Sequence, residues 1–142
     1  MFSDLDLVEL VKAEMADLMA RHGLELAVIG KGEVLLRRTD YPIKLMAGRE
    51  EIHLVYFDKK AGPIRGYNVF LYLMHQRRAR LISSMEEAMP VQGYTGHIER
   101  ELRALTRQLT VAGQDILEGS TEWTKTYHWP TLTLDAETAA LL

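Results

Sequence analysis

A chain of 142 residues, 47% apolar and 26% charged, is long enough to bury one hydrophobic core without staples and is the size of one ordinary domain. It has no cysteine, which excludes disulfides and thiolate metal sites. Its apolar runs are only a few residues long, which excludes a transmembrane helix. The net charge of −3 is uneven: residues 1–20 carry five acids against one base, residues 108–142 the same, and residues 21–107 fifteen bases against ten acids. Acidic ends flanking a basic centre can orient a partner or match each other across a solvated surface.

The opening, "MFSDLDLVELVK", has no basic n-region, apolar h-region or small-residue cleavage site, so no signal peptide and a cytoplasmic setting are expected. The first predicted element is a helix capped by Ser3 or Asp4. Asp4, Asp6 and Glu9 lie in its first turns, where the helix dipole favours negative charge. Leu5, Val8, Val11, Met15 and Leu18 form its apolar stripe, and Gly23 stops it.

Four alternating segments follow, at 24–29, 33–38, 43–47 and 51–57. Gly30-Lys31-Gly32, Thr39-Asp40-Tyr41-Pro42 and Gly48-Arg49-Glu50 separate them, which predicts an antiparallel meander. One face carries Leu24, Leu26, Val28, Ile43, Leu45 and Ala47. The other is partly apolar, with Ala27, Ile29, Leu35, Met46, Val55 and Phe57 interrupted by Glu25, Arg37, Lys44 and His53. A wholly solvated face would be more polar, so this chain or another must cover part of it.

Residues 58–66 read as a loop. Residues 67–78, "YNVFLYLMHQRR", fit either a strand or a helix capped by Asn68, and helix is the expectation. Ser84 and Glu87 have capping-box spacing in a short turn over 83–90. A long helix is predicted over 95–117, with a seam of Ile98, Leu102, Leu105, Leu109, Ala112 and Ile116. Trp123 lies seven residues beyond Ile116, and Tyr127 four beyond that. The rings therefore continue the seam and close one end of the core, or else they present a binding surface. A short helix over 121–128 and an edge strand over 131–135 complete the chain.

The chemical motifs are sparse. There is no phosphate-binding glycine loop beyond Gly93-Tyr94-Thr95-Gly96 before the long helix. The five histidines are scattered, and no catalytic set, metal site or cofactor is expected. Glu51/His53 and His97/Glu101 are the two carboxylate–imidazole pairs that a small enzyme would use. Arg77, Arg78 and Arg80, with Arg100, Arg103 and Arg107, would make a phosphate-binding stripe if they met, but Glu99 and Glu101 interleave and the whole chain is acidic.

The order of these elements carries a resemblance. "DLDLVELVKAEMADLM", the meander ending "HLVYFDKK", then "GYNVFLYL" and "LTVAGQDILEGSTEW" resemble small bacterial α+β proteins, among them immunity proteins encoded beside polymorphic toxins. That resemblance implies a protein partner, a toxin, and carries over no residue roles. The opening helix and strands also resemble type III secretion chaperones, from which "AGPIRGYNVFLYLMHQRRAR" departs.

The expectation is a single α+β domain over 1–142, a four-stranded antiparallel meander packed against an N-terminal helix and a long C-terminal helix. Its expected function is non-enzymatic protein binding, foremost as a toxin-neutralising immunity protein. A secretion-chaperone-like binder, a nucleic-acid-associated protein and a small His/Glu enzyme are the alternatives. The partner-binding candidates are Trp123, Tyr127, Trp129, Asp4, Asp6, Glu118 and Glu122. No membrane is expected, and pairing with a second copy stays open.

Overall fold

The computed structural model describes residues 6–49, 51–60, 63–78 and 93–142. Helices α1 (Leu7–Glu14) and α2 (Ala16–His22) lead into strands β1 (Glu25–Gly30), β2 (Glu33–Arg37), β3 (Pro42–Ala47), β4 (Ile52–Asp58) and β5 (Arg65–Asn68). Then come α3 (Val69–Leu71), continuing into a π-helical turn (Tyr72–Gln76), and α4 (Gly93–Ala112), α5 (Gln114–Leu117) and a 3-10 turn (Glu122–Thr126). Strand β6 (Leu132–Thr133) and helix α6 (Ala136–Ala139) end the chain. Among the described residues no helix is long and apolar enough to cross a membrane.

Helix and sheet are mixed as expected, but the sheet is larger than a four-stranded meander. Among the described residues it has six strands in the order β1-β2-β3-β4-β5-β6, with each neighbouring pair antiparallel. The added β5 spans the end of the expected loop and the start of the stretch expected to be helical. Gly66 reads there as loop punctuation, yet it pairs with Phe57 in β4. A Cβ at position 66 would stand 2.9 Å from both Phe57 Cε1 and Val55 Cγ1, so glycine serves close packing. The expected helix starts only after Asn68, whose side chain accepts from the Leu71 amide at 3.0 Å.

The first helix also differs. Its cap is Asp6, which accepts from the Glu9 amide at 3.3 Å. Ser3, Asp4 and Leu5 lie outside the described residues, as do Arg80 and the expected turn over 83–90. The helix breaks at Met15, and its buried side is Leu7, Val11, Met15 and Leu18, with Val8 only partly covered. The Leu7 amide donates to Lys31 O at 2.9 Å, tying the helix start to the β1–β2 turn.

Strand registry sorts the side chains into two faces. Leu26, Leu36, Ile43, Tyr56 and Tyr67 form one cross-strand row, with Val34, Leu45 and Leu54 beside it. This face packs with Leu7, Val11, Leu18, Ile98, Leu102, Leu105, Leu109 and Ile116 to make the main core. The opposite row reads Ala27, Leu35, Lys44, Val55 and Asn68. The chain covers this far face itself. Leu132 pairs with Gly66 beside Val55 and Phe57, Asp135 reaches Lys44 at 3.1 Å, and the Leu141 carbonyl accepts from Arg37 at 2.9 Å. Residues 131–142 thus cross the sheet from β5 to β2.

Candidate functional site

The long helix ends earlier than its pattern suggests. Gly113 interrupts it, α5 supplies one further turn, and Gly119 reverses the chain with φ +90°. A Cβ at position 119 would fall 2.1 Å from Asp40 Oδ2, so a side chain there would have to displace the Asp40 carboxylate. Tyr41 Oη donates to the Leu117 carbonyl at 2.6 Å, Arg38 donates to the same oxygen, and Lys60 Nζ donates to Gly119 O at 2.8 Å. Three donors therefore satisfy carbonyls at the negative end of α5. This clamp fixes where residues 120–130 begin.

Trp123 is 3% exposed and belongs to the main core. Its ring meets Tyr56, Tyr67 and Tyr72 edge-on, at centroid distances of 5.4, 5.6 and 4.9 Å. Its indole Nε1 is buried and finds no hydrogen-bond partner among the described residues. Because the chain turns at Gly119, Trp123 does not sit on the long helix. It reaches the same core from the 3-10 turn.

Tyr127 and Trp129 lie further out, each half-buried against the core edge. The Tyr127 ring stands edge-on to Tyr67 at 5.0 Å, and its hydroxyl accepts from the Asn68 amide at 3.0 Å. Trp129 stacks on the exposed His128 at 4.1 Å, meets Tyr127 edge-on at 5.3 Å and lies 6.1 Å from the exposed His75. The structure thus brings Trp123, Tyr127 and Trp129 together and adds Tyr67, Tyr72, His75 and His128. The added residues come from β5, the π-helical turn and the end of the segment itself, and the stretch 67–78 holds Tyr67, Tyr72 and His75. That turn closes with Arg77 N donating to Tyr72 O at 3.2 Å. Such turns recur at functional sites.

Of the acidic candidates, Asp4 lies outside the described residues. Glu118 and Glu122 are exposed on the same segment as the aromatics, Glu122 being held by Lys125 at 2.7 Å. Asp6 is occupied as the α1 cap.

The other constellations separate. His53 Nε2 lies 2.9 Å from Glu51 Oε1, both side chains 42% exposed, and Tyr94 Oη donates to the nearby Gly48 carbonyl. Burial, then the Glu51 charge, raises the Tyr94 phenol above its ordinary pKa. His97 is 3.8 Å from Glu101, and Arg100 reaches His97 Nδ1 at 3.2 Å. Among the described residues no group of three or more His, Cys, Asp or Glu stands in a metal-holding arrangement. Gly93 and Gly96 belong to the first turn of α4 and form no separate loop.

Two of the arginines are tied to carboxylates, while Arg78 is exposed. Arg77 forks onto Asp115 at 2.5 and 2.7 Å, donates to Ala112 O at 2.6 Å and lies over the Tyr72 ring. Arg103 reaches Glu14 and Glu99, both at 2.9 Å.

Compared with protein-family models, curated proteins and solved structures, the chain matches none.

Proposed function

We propose that this chain is a non-enzymatic protein-binding module, and within that class an immunity protein that neutralises a bacterial toxin in the cytoplasm. One observation carries the binding reading: Trp129 and Tyr127 form a half-buried aromatic ledge backed by the core residue Trp123. Large rings already fixed in place offer contact area at little ordering cost, and Trp and Tyr are frequent interface anchors. Glu118 and Glu122, exposed on the segment that leads to the ledge, suit a basic partner and would speed its approach. The toxin assignment is supported by the resemblance in element order described above.

The test is a tagged capture from native-host lysate with wild type, Trp129→Ala and Tyr127→Ala side by side. The reading expects one stoichiometric, salt-resistant partner whose retention falls by roughly thirtyfold in Trp129→Ala, the size of a hot-spot loss. That partner, expressed alone, should be toxic, and co-expression of this chain should abolish the toxicity. A partner retained equally by both folded variants would remove the ledge from the interface. A partner without toxicity would remove the immunity assignment.

A further inference from the structure

We infer that residues 131–142 form a detachable strap, latched by Asp135 on Lys44 and by the Leu141 carbonyl on Arg37, which opens as a unit and uncovers the far face of the sheet while the helix-side core stays folded. This does not depend on the protein-binding reading. On the face that the strap crosses lie Leu35 and Val55, either side of Lys44, and Phe57, at 0, 2 and 2% exposure. None of the three belongs to the core cluster that the helices build. The strap therefore covers a separate apolar strip.

Its hold is slight. Residues 131–133, 135–137, 139, 140 and 142 are exposed, and only Thr138 is fully buried. Strand β6 has two residues and α6 four, lengths with no stability of their own. Segments with few buried apolar contacts open locally well below the free energy of global unfolding.

Each latch also has a standby partner on its own side. Lys44 lies 3.8 Å from Glu33 Oε2, and Arg37 lies 3.6 Å from Glu25 Oε1. Asp135 caps its own helix, accepting from the Thr138 hydroxyl at 2.7 Å and the Thr138 amide at 3.1 Å. Opening the strap therefore strands no buried charge. An ion pair whose members had no other partner would resist such opening far more strongly.

The absence of native cysteine makes the test direct. In the full chain, Val55→Cys places a thiol under the strap, and Leu54→Cys places one on the adjacent residue under the helices. Their labelling rates by a thiol reagent in native buffer report the two openings, with urea titration giving each variant's global stability. The strap predicts labelling at position 55 roughly a hundredfold faster than global unfolding allows, with position 54 at the global rate. Adding Asp135→Asn should accelerate position 55 about tenfold and leave position 54 unchanged. Equal rates at both positions, or acceleration of both by Asp135→Asn, would overturn the proposal. If either variant fails to fold, Leu35→Cys and Leu36→Cys on β2 form the same contrast.

Discussion

At the residue scale, the two tryptophans carry different burdens. Trp123 is enclosed by Tyr56, Tyr67 and Tyr72, whereas Trp129 leans on the core edge. Trp123→Ala should cost about 3–5 kcal/mol, and Trp129→Ala about 1 kcal/mol, both read by urea denaturation. Similar costs would mean that the ledge is core. Two buried tyrosines make a second contrast. Tyr41 Oη donates to Leu117 O, while Tyr56 Oη is buried with no hydrogen-bond partner among the described residues. Tyr41→Phe should lose about 1 kcal/mol, and Tyr56→Phe should be neutral or slightly stabilising. A marked loss in Tyr56→Phe would show that its hydroxyl is satisfied after all. Burial, then Asp58 and Asp40, raises the Tyr56 phenol, and burial raises Tyr41. A phenol raised by folding contributes stability below its unfolded value of about 10 and loses it as pH climbs further. The burial of Trp123 was legible in the sequence, but not its route: the helical seam ends at α5, and the ring reaches the core from the 3-10 turn. Its neighbours Tyr67 and Tyr72 were not legible, because strand, α-turn and π-turn succeed one another over residues 65–76.

At the scale of elements, periodicity located the helices and missed their breaks. Met15 and Gly113 interrupt runs whose apolar spacing continues past them, since burial follows the face and the face survives a bend. Gly119 was legible as a stop, but its tight fit against Asp40 depends on a loop eighty residues away in sequence. Gly119→Ala must therefore meet both a left-handed backbone and the Asp40 carboxylate, and should cost about 2–3 kcal/mol. A cost below about 0.5 kcal/mol by urea denaturation would mean that the clamp yields freely. The Arg77 fork onto Asp115 joins the π-turn to α5. Hydrogen bonding from Arg77, opposed by burial and aided by its charge, holds the Asp115 carboxyl below the ordinary range. Burial pushes Asp135 up, but Thr138 and Lys44 outweigh it and hold that carboxyl at about 2. Both carboxyls are depressed on folding, so their contribution is complete above the unfolded value of about 4 and is lost as pH falls through each folded value, about 2 for Asp135. Asp115→Asn should flatten the acid limb of a stability–pH curve measured by denaturation, and an unchanged limb would take Asp115 out of the linkage.

At the scale of the whole molecule, alternation gave the first four strands and the mixed polarity of the far face. It could not give β5, which has a glycine where a strand would carry a packing side chain, or β6, which is only two residues long. Nor could it say that the chain's own end covers that face, because the latches join residues about ninety to a hundred apart. The charge asymmetry was equally legible and its meaning equally hidden. In three dimensions Arg77 meets Asp115, Arg103 meets Glu14 and Glu99, Arg38 lies beside Asp40, and Lys44 meets Asp135 and Glu33. The acidic ends thus meet three cations of the basic centre: Glu14, from the N-terminal segment, meets Arg103, and Asp115 and Asp135, from the C-terminal one, meet Arg77 and Lys44. Phosphate binding needs cations free to replace counterions, and its signature is affinity that falls steeply with salt. Cations already paired with carboxylates would have to break those pairs first. The protein should therefore show no measurable binding to short generic DNA or RNA by fluorescence anisotropy, even at low salt. Binding that appears at low salt and vanishes at moderate salt would mean that the arginines exchange partners readily, and would replace the protein-partner reading with a nucleic-acid one.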